Sequence, residues 1–125
     1  MMSLIAGIGV DLIEVDRISK ACEKDGFLKR CFTGEEIKLI GSKWEKAAGN
    51  FAVKEAVVKM LGTGFRGIGL KDIEVLRDEL GKPYVNLYGK AEKLAKDKGI
   101  STIHVSITNT KDYANAFVVG EKIRT

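Results

Sequence analysis

Two acidic residues carry the clearest chemical signal in the chain. Asp11 ends the first apolar run, and Glu55 lies inside a later apolar segment, residues 51–61. Lys59 follows Glu55 by four residues, which is about one helical turn, and a flexible GTG turn comes next at residues 62–64. Two carboxylates can hold a divalent cation, and a lysine beside a flexible turn can receive a phosphate. The pattern therefore indicates a site for a cation and a phosphate together.

Each of these residues also has a purely structural explanation. Asp11 could cap the turn or helix that follows it, and Glu55 could form only an i,i+4 ion pair with Lys59, worth about 0.2–0.5 kcal/mol. Three of the four helical neighbours of Glu55 are apolar, however, and a carboxylate on an apolar face is costly unless it is paired or bound to a metal. The GTG turn is not a P-loop, because no strand precedes it and no Gly-Lys-Ser/Thr follows it.

The first half of the chain predicts one strand and three helices. Residues 4–10 are apolar enough for a buried strand that ends near Asp11, and a helix over residues 15–25 should stop at Gly26. Capping-box patterns begin at Thr33 and at Ser42. The second of them should open the longest helix, which ends near residue 61 with a glycine at its C-terminal cap.

The second half predicts two β-hairpins with a helix between them. Alternating residues around 73–75 and 84–88 flank a Gly-Lys-Pro turn, and residues 103–108 and 113–119 flank a turn at 109–112. A helix over residues 90–98 is closed by Gly99. The predicted order is β-α-α-α-β-β-α-β-β. It is an α+β fold with a mostly antiparallel sheet packed on helices, in one domain over residues 1–125.

Composition excludes several classes of protein. No apolar run approaches the ~20 residues of a membrane span, and residues 1–10 lack the basic start of a signal peptide. We therefore expect a cytoplasmic protein with no membrane partner. Cys22 and Cys31 form no metal-binding pattern and should be reduced thiols that are partly buried. His104, the only histidine, favours a structural hydrogen-bonded role.

Charge is distributed unevenly along the chain. The net charge is +4, but residues 17–66 carry 11 basic and 6 acidic residues, a net +5. Such a stretch could steer an acidic partner, and it could equally be a solvated helical surface of mixed charge. Nucleic-acid binding is disfavoured, because lysines alternate with acids and aromatic residues make up only 7% of the chain.

The ordered motifs resemble those of the holo-[acyl-carrier-protein] synthases, the bacterial 4′-phosphopantetheinyl transferase family. The matching segments run in the family's order over essentially the whole chain: GIGVDLIE from Gly7, FAVKEAVVK from Phe51, GTG from Gly62, DIEV from Asp72, GKP from Gly81 and VSIT from Val105. Each segment is weak alone, but the ordered set is specific.

The resemblance implies an enzyme that transfers 4′-phosphopantetheine from coenzyme A to a serine of acyl carrier protein, releasing adenosine 3′,5′-bisphosphate. Asp11 and Glu55 match the family's Mg²⁺ ligands. Lys59 matches the lysine that contacts the phosphates and assists the leaving group, so Glu55 and Lys59 are the implied catalytic residues. Either Glu55 or a water on the metal could accept the serine proton. The implied coenzyme A contacts are Lys59, Gly62, Thr63, Gly64, Pro83 and Asn109.

The resemblance also implies partners. In the family, acyl carrier protein docks through its acidic residues on a basic first helix. The matching side chains here are Arg17, Lys20, Lys24 and Arg30. The family is typically a homotrimer with active sites between subunits, which would make this chain a homotrimer as well.

Asn109 departs from the family, which usually has histidine at this position. Asparagine forms hydrogen bonds but does not titrate. His104 cannot replace the missing ring, because it lies an odd number of residues away on the same strand and should face the opposite side. If the family histidine only positions the substrate, activity should persist, and we favour this interpretation. The alternative is a transferase-like interaction subunit with impaired catalysis.

Overall fold

The computed structural model describes residues 2–124, which form five α-helices, five strands and one 3-10 turn. The elements in chain order are β1 (Met2–Glu14), α1 (Val15–Cys22), α2 (Phe27–Cys31), α3 (Gly34–Ile40), α4 (Trp44–Leu61), the 3-10 turn (Leu70–Asp72), β2 (Ile73–Arg77), β3 (Pro83–Leu87), α5 (Gly89–Asp97), β4 (Ile100–Asn109) and β5 (Tyr113–Arg124). The predicted α+β class is confirmed, with one short helix, α2, added to the predicted order.

The extra helix arises at Gly26. The predicted first helix was too long, since α1 ends at Cys22. Gly26 has a φ of 82°, a left-handed conformation that glycine adopts without strain. It redirects the chain into α2. Gly26 is therefore the N-cap of α2 and also separates α2 from α1.

All strand pairs among residues 2–124 are antiparallel. β5 lies between β1 and β4 in a three-stranded sheet, and β2 pairs with β3 in a separate hairpin. The prediction that the first strand ends near Asp11 is wrong. Asp11 lies inside β1 opposite Ala116, because β5 continues to pair with β1 as far as the Glu14–Tyr113 pair.

Helix α4 forms the centre of the core. Twelve of its 18 residues are buried, and from residue 51 onward only Phe51, Glu55 and Lys59 are not. These three recur every four residues, so they form one narrow stripe along the helix. The predicted C-terminal cap is confirmed, since Gly62 follows the helix with a φ of 77°.

The predicted capping box at Ser42 is wrong. The helix begins one residue later, with Lys43 as its N-cap, and no side chain caps it. The Lys43 amide instead donates to the Ile40 carbonyl at 2.8 Å, so residues 41–43 form a tight turn out of α3. The capping box at Thr33 is present, with both reciprocal hydrogen bonds.

Glycines let α4 pack directly on the sheet. A Cβ at Gly9 would overlap the Ala56 carbonyl oxygen, and one at Gly7 would overlap the Met60 carbonyl oxygen. The helix backbone therefore rests on the backbone of β1, which only glycine permits.

Cys22 and Cys31 are both buried, and neither forms a disulfide. This agrees with the expectation of reduced thiols. No helix within residues 2–124 is both long and apolar enough to cross a bilayer.

We predict that Gly9→Ala lowers the free energy of unfolding by about 1–3 kcal/mol, because the new methyl group forces α4 away from β1. The matched control is Gly34→Ala. A Cβ at Gly34 meets nothing within 4 Å, and alanine in a helix should stabilise by up to about 1 kcal/mol. Urea denaturation of both variants measures the difference. Equal stability of Gly9→Ala and the wild type would contradict the close approach.

Candidate functional site

The Asp11 carboxylate and the Lys59 ammonium meet where α4 crosses β1. Lys59 Nζ donates to Asp11 Oδ1 at 3.0 Å and to the Val10 carbonyl oxygen at 3.0 Å. The Asp11 side chain is 15% exposed and that of Lys59 is 55% exposed. Exposed ion pairs of this kind contribute only about 0–1 kcal/mol. Lys59 can therefore leave Asp11 for an arriving phosphate at little cost.

Glu55 lies one helical turn before Lys59 on the same accessible stripe. Burial raises the pKa of the Glu55 carboxyl, and the negative charge of Asp11 raises it further, while Lys59 and Arg17 oppose the increase. Two carboxylates are thus close enough to repel each other. The structural alternative in which Lys59 simply pairs with Glu55 is not what forms, since Lys59 binds Asp11.

The carboxylate pair suits Mg²⁺. No group of three or more Asp, Glu, His or Cys side chains that could enclose a metal occurs among residues 2–124. Asp11 and Glu55 therefore offer two carboxylates and no third ligand of these types. Mg²⁺ is usually bound in this way, by one or two carboxylates with phosphates and waters completing its shell. The residues present fit that ion.

A cleft opens beyond the end of α4. Its volume is about 670 Å³, and its lining residues are Gly62, Thr63, Gly64, Arg66, Lys90 and Leu94. The three residues of the predicted GTG turn therefore share one cavity wall. The opposite wall comes from α5.

Two cations of this cleft, Arg66 and Lys90, were not predicted from the sequence. The Lys90 ammonium lies over Gly67, where a Cβ would be 2.6 Å from Nζ. Both side chains are exposed. The available signal was a basic residue on each side of the predicted hairpin, but only the tertiary structure brings them to one cavity.

The predicted docking residues are exposed around α1. Arg17, Lys20, Lys24 and Arg30 are all accessible. Lys20 pairs with Asp16 at 3.0 Å within the helix, and Arg17 is close enough to Glu55 to oppose the increase in its pKa. Arg17 therefore connects this basic surface to the carboxylate pair.

Pro83 and Asn109 lie apart from the Asp11–Lys59 contact. Pro83 begins β3 opposite Arg77 and is not among the residues lining the cleft. Asn109 ends β4, where its Nδ2 donates to the Glu45 carbonyl oxygen at 3.4 Å. The structure brings Asp11, Glu55 and Lys59 together and leaves these two predicted coenzyme A contacts elsewhere in the chain.

His104 faces away from Asn109, as the strand periodicity predicts. Asn109 contacts the first turns of α4, whereas His104 Nε2 lies 3.0 Å from Glu121 Oε1 on the other side of the sheet. Its role is the hydrogen-bonded one expected from the sequence.

Comparison with known proteins identifies the family. The model of the 4′-phosphopantetheinyl transferase superfamily matches residues 7–118. The holo-[acyl-carrier-protein] synthase of Lachnoclostridium phytofermentans is 62% identical over 121 residues, which cover 97% of this chain and 99% of the relative. The chain belongs to the holo-[acyl-carrier-protein] synthase family.

Solved structures of synthases agree with this assignment. The acyl carrier protein synthase of Plasmodium yoelii with ADP bound has a TM-score of 0.89 at 33% identity, covering 99% of this chain and all of that one. The Helicobacter pylori synthase in complex with coenzyme A has a TM-score of 0.79 at 30% identity, covering 90% of this chain and 98% of that one. The synthase fold expected from the sequence is confirmed.

We predict that Glu55→Gln stabilises the protein in the absence of metal. Folding raises the pKa of the Glu55 carboxyl. The folded protein therefore loses stability as the pH rises from the unfolded pKa of this group, about 4.3, through its folded pKa. The amide removes this loss, so the gain should be absent below pH ~4, grow with pH and level off at up to about 1 kcal/mol, because water screens the partly exposed site.

Urea denaturation across this pH range measures the gain. Glu79→Gln, at an exposed position in the β2–β3 loop, is the control for the same change in net charge. A Glu55→Gln variant less stable than this control at neutral pH would contradict the electrostatic account.

Proposed function

We propose that this protein transfers 4′-phosphopantetheine from coenzyme A to a serine of acyl carrier protein, with Mg²⁺ held by Asp11 and Glu55. The observation that carries the proposal is the 3.0 Å contact of Asp11 with Lys59. It gathers a carboxylate pair and a cation beside a glycine-lined cleft in a chain of the synthase family. Substrates with a diphosphate need both kinds of group in one place.

The reaction follows from the charges of the site. The serine hydroxyl attacks the phosphorus that carries pantetheine, a new P–O bond forms, and the bond to the oxygen of adenosine 3′,5′-bisphosphate breaks. Bound Mg²⁺ supplies charge neutralisation at the phosphate oxygens. Lys59 leaves Asp11 and meets the charge that develops on the departing phosphate. The serine proton passes to water or to Glu55.

The cleft at the end of α4 suits the remainder of coenzyme A. Arg66 and Lys90 provide two cations along its walls, and the turn at residues 62–64 directly follows α4, which carries Lys59 in its last turn. We assign the phosphates of coenzyme A to this row of positive charge. Gly62 and Gly64 have positive φ values, which glycine adopts without strain. Because neither residue has a side chain, their backbone can approach a ligand closely.

The basic surface around α1 suits an acidic carrier protein. Among the four predicted docking cations, Arg17 is the one whose charge acts on Glu55, so a carrier docked on Arg17 would present its serine near the carboxylate pair. Lys20, Lys24 and Arg30 extend the same charge outward. Charge complementarity of this kind raises association rates and weakens with added salt.

The outer face of the three-stranded sheet suits a homotrimer. The side facing away from α4 exposes several large apolar side chains, among them those of Ile5, Ile8, Val10, Leu12 and Phe117. Exposed apolar patches on a sheet mark interaction surfaces. The first strand, which the sequence predicts to be buried, is buried on only one face in this chain. A neighbouring subunit would bury the other face. Pro83 and Asn109 could then contribute to a site shared between subunits.

We predict a mass gain of one phosphopantetheine on apo acyl carrier protein incubated with this protein, coenzyme A and Mg²⁺. Lys59→Met should lower kcat/KM by about 100-fold or more, because a charge-stabilising group is lost from the transition state. Intact-mass spectrometry follows the reaction. Lys38→Met, which removes an exposed lysine of α3, should react like the wild type.

Failure of the wild type to modify any of several carriers would overturn the proposed transfer. It would favour an interaction subunit with impaired catalysis. A Lys59→Met variant as fast as the Lys38→Met control would retain the transfer and overturn the role of Lys59.

We predict that Phe117→Glu converts a trimer into a monomer in sedimentation velocity, because a charge in the centre of the apolar face cannot be buried unpaired. Leu80→Glu is the control, since Leu80 is 95% exposed at the β2–β3 turn, away from the sheet. It should remain trimeric. A monomeric wild type, or a Phe117→Glu trimer, would contradict the assignment of this face.

A further inference from the structure

Lys54, next to Glu55 in the sequence, has its ammonium group in the core. Its side chain is fully buried, as is that of its ion-pair partner Glu36, and Lys54 Nζ lies 2.7 Å from Glu36 Oε1. The same ammonium donates to the Leu70 carbonyl oxygen at 2.9 Å and to the Ile73 carbonyl oxygen. All three ammonium protons therefore have acceptors, two of them on the backbone of one short segment.

Glu36 is satisfied as fully as Lys54. Its carboxylate accepts from the Thr33 amide at 3.1 Å, from Asn50 Nδ2 at 3.0 Å and from the Val75 amide at 3.3 Å. A buried ion pair is weak evidence for stability, because desolvation offsets much of its attraction. The main effect of this pair is to fix positions, because it connects α3 and α4 to the backbone between residues 70 and 75.

The segment tied by Lys54 joins both walls of the coenzyme A cleft. It is the 3-10 turn, which ends the loop that begins with the cleft residues 62–64. Its last residue, Asp72, accepts a hydrogen bond from the Tyr88 amide at 2.8 Å. The Asp72 side chain also packs on Gly89, where a Cβ would be 3.1 Å from Oδ1. α5 starts there, and it carries the cleft residues Lys90 and Leu94.

We propose that Lys54 is a positioning residue for coenzyme A, because it fixes the 3-10 turn on which both walls of the cleft depend. The proposal rests on the proposed function. Lys54 touches neither substrate nor metal. Its loss should let the cleft walls move apart, which weakens coenzyme A binding and leaves the positions of Asp11 and Lys59 unchanged.

The test is the double variant Lys54→Met with Glu36→Gln. Removing both charges avoids leaving one buried and unpaired, which would cost about 3–5 kcal/mol, while the Leu70 and Ile73 carbonyls still lose their donor. Lys38→Met is the control for loss of a lysine at an exposed site. Coenzyme A binding with Mg²⁺ is measured by calorimetry, and KM and kcat are measured by the carrier-mass assay.

We expect about a 10–100-fold rise in Kd and KM for coenzyme A in the double variant, the range found for residues that orient binding groups without touching the ligand. The kcat at saturation should change less than about threefold. Unchanged binding would overturn the proposal, and so would a fall in kcat with KM unaffected. Calorimetry also separates this proposal from the proposed function. A wild type that binds coenzyme A but transfers nothing overturns only the function, and one that does not bind coenzyme A overturns both.

Amide hydrogen exchange in the native protein decides the matter if the double variant does not fold. The amides of Asp72 and Val75 should exchange as slowly as that of Val57 in the core of α4, because the tie must break before the turn can open. Faster exchange at Asp72 and Val75, through frequent local opening, would overturn the proposal.

Discussion

The structure depends on how closely helix α4 approaches the three-stranded sheet. Gly7 and Gly9 of β1 leave no side chain between the strand and the helix, so backbone meets backbone. The same contact sets the distance from Asp11, two residues after Gly9, to Lys59 on the helix. A larger residue at Gly9 would fill no cavity and would instead push the helix away, which would separate the carboxylate from the lysine. Core packing and site geometry therefore rest on one constraint.

Neighbouring residues of α4 serve opposite sides of the molecule. Lys54 is directed into the core and holds the 3-10 turn, while Glu55 is on the accessible stripe, where the charge of Asp11 acts on it. Both residues carry a charge whose burial is unfavourable, but the two charges are compensated differently. Lys54 is neutralised by Glu36 within the protein. Glu55 lies near the like charge of Asp11 and has a raised pKa, so its charged form is disfavoured. Such tension between stability and activity is common at functional sites.

Local patterns predicted the elements whose ends are set by their own residues. Gly62 ends α4 as expected, because a left-handed cap needs glycine wherever the helix lies. The extension of β1 beyond Asp11 could not be predicted, because a strand ends where its partner ends, and the partner is about a hundred residues away. The expected cap at Ser42 failed since the preceding helix imposes a turn there. The ordered motifs predicted Asp11, Glu55 and Lys59 as site residues, and the structure places Asp11 in contact with Lys59. Arg66 and Lys90 were not predicted, because α5 and the loop that follows α4 meet only in the tertiary structure.

We propose above all that Asp11 and Glu55 form one site with coenzyme A through a shared Mg²⁺. The most direct measurement is calorimetric titration of coenzyme A with and without Mg²⁺, in the wild type and in Asp11→Asn. Asp97→Asn, at an exposed carboxylate of α5, is the control. The account predicts that Mg²⁺ tightens coenzyme A binding about tenfold or more in the wild type and the control, as coupled ligands do, and not in Asp11→Asn. Equal tightening in all three proteins, or none in the wild type, would contradict it.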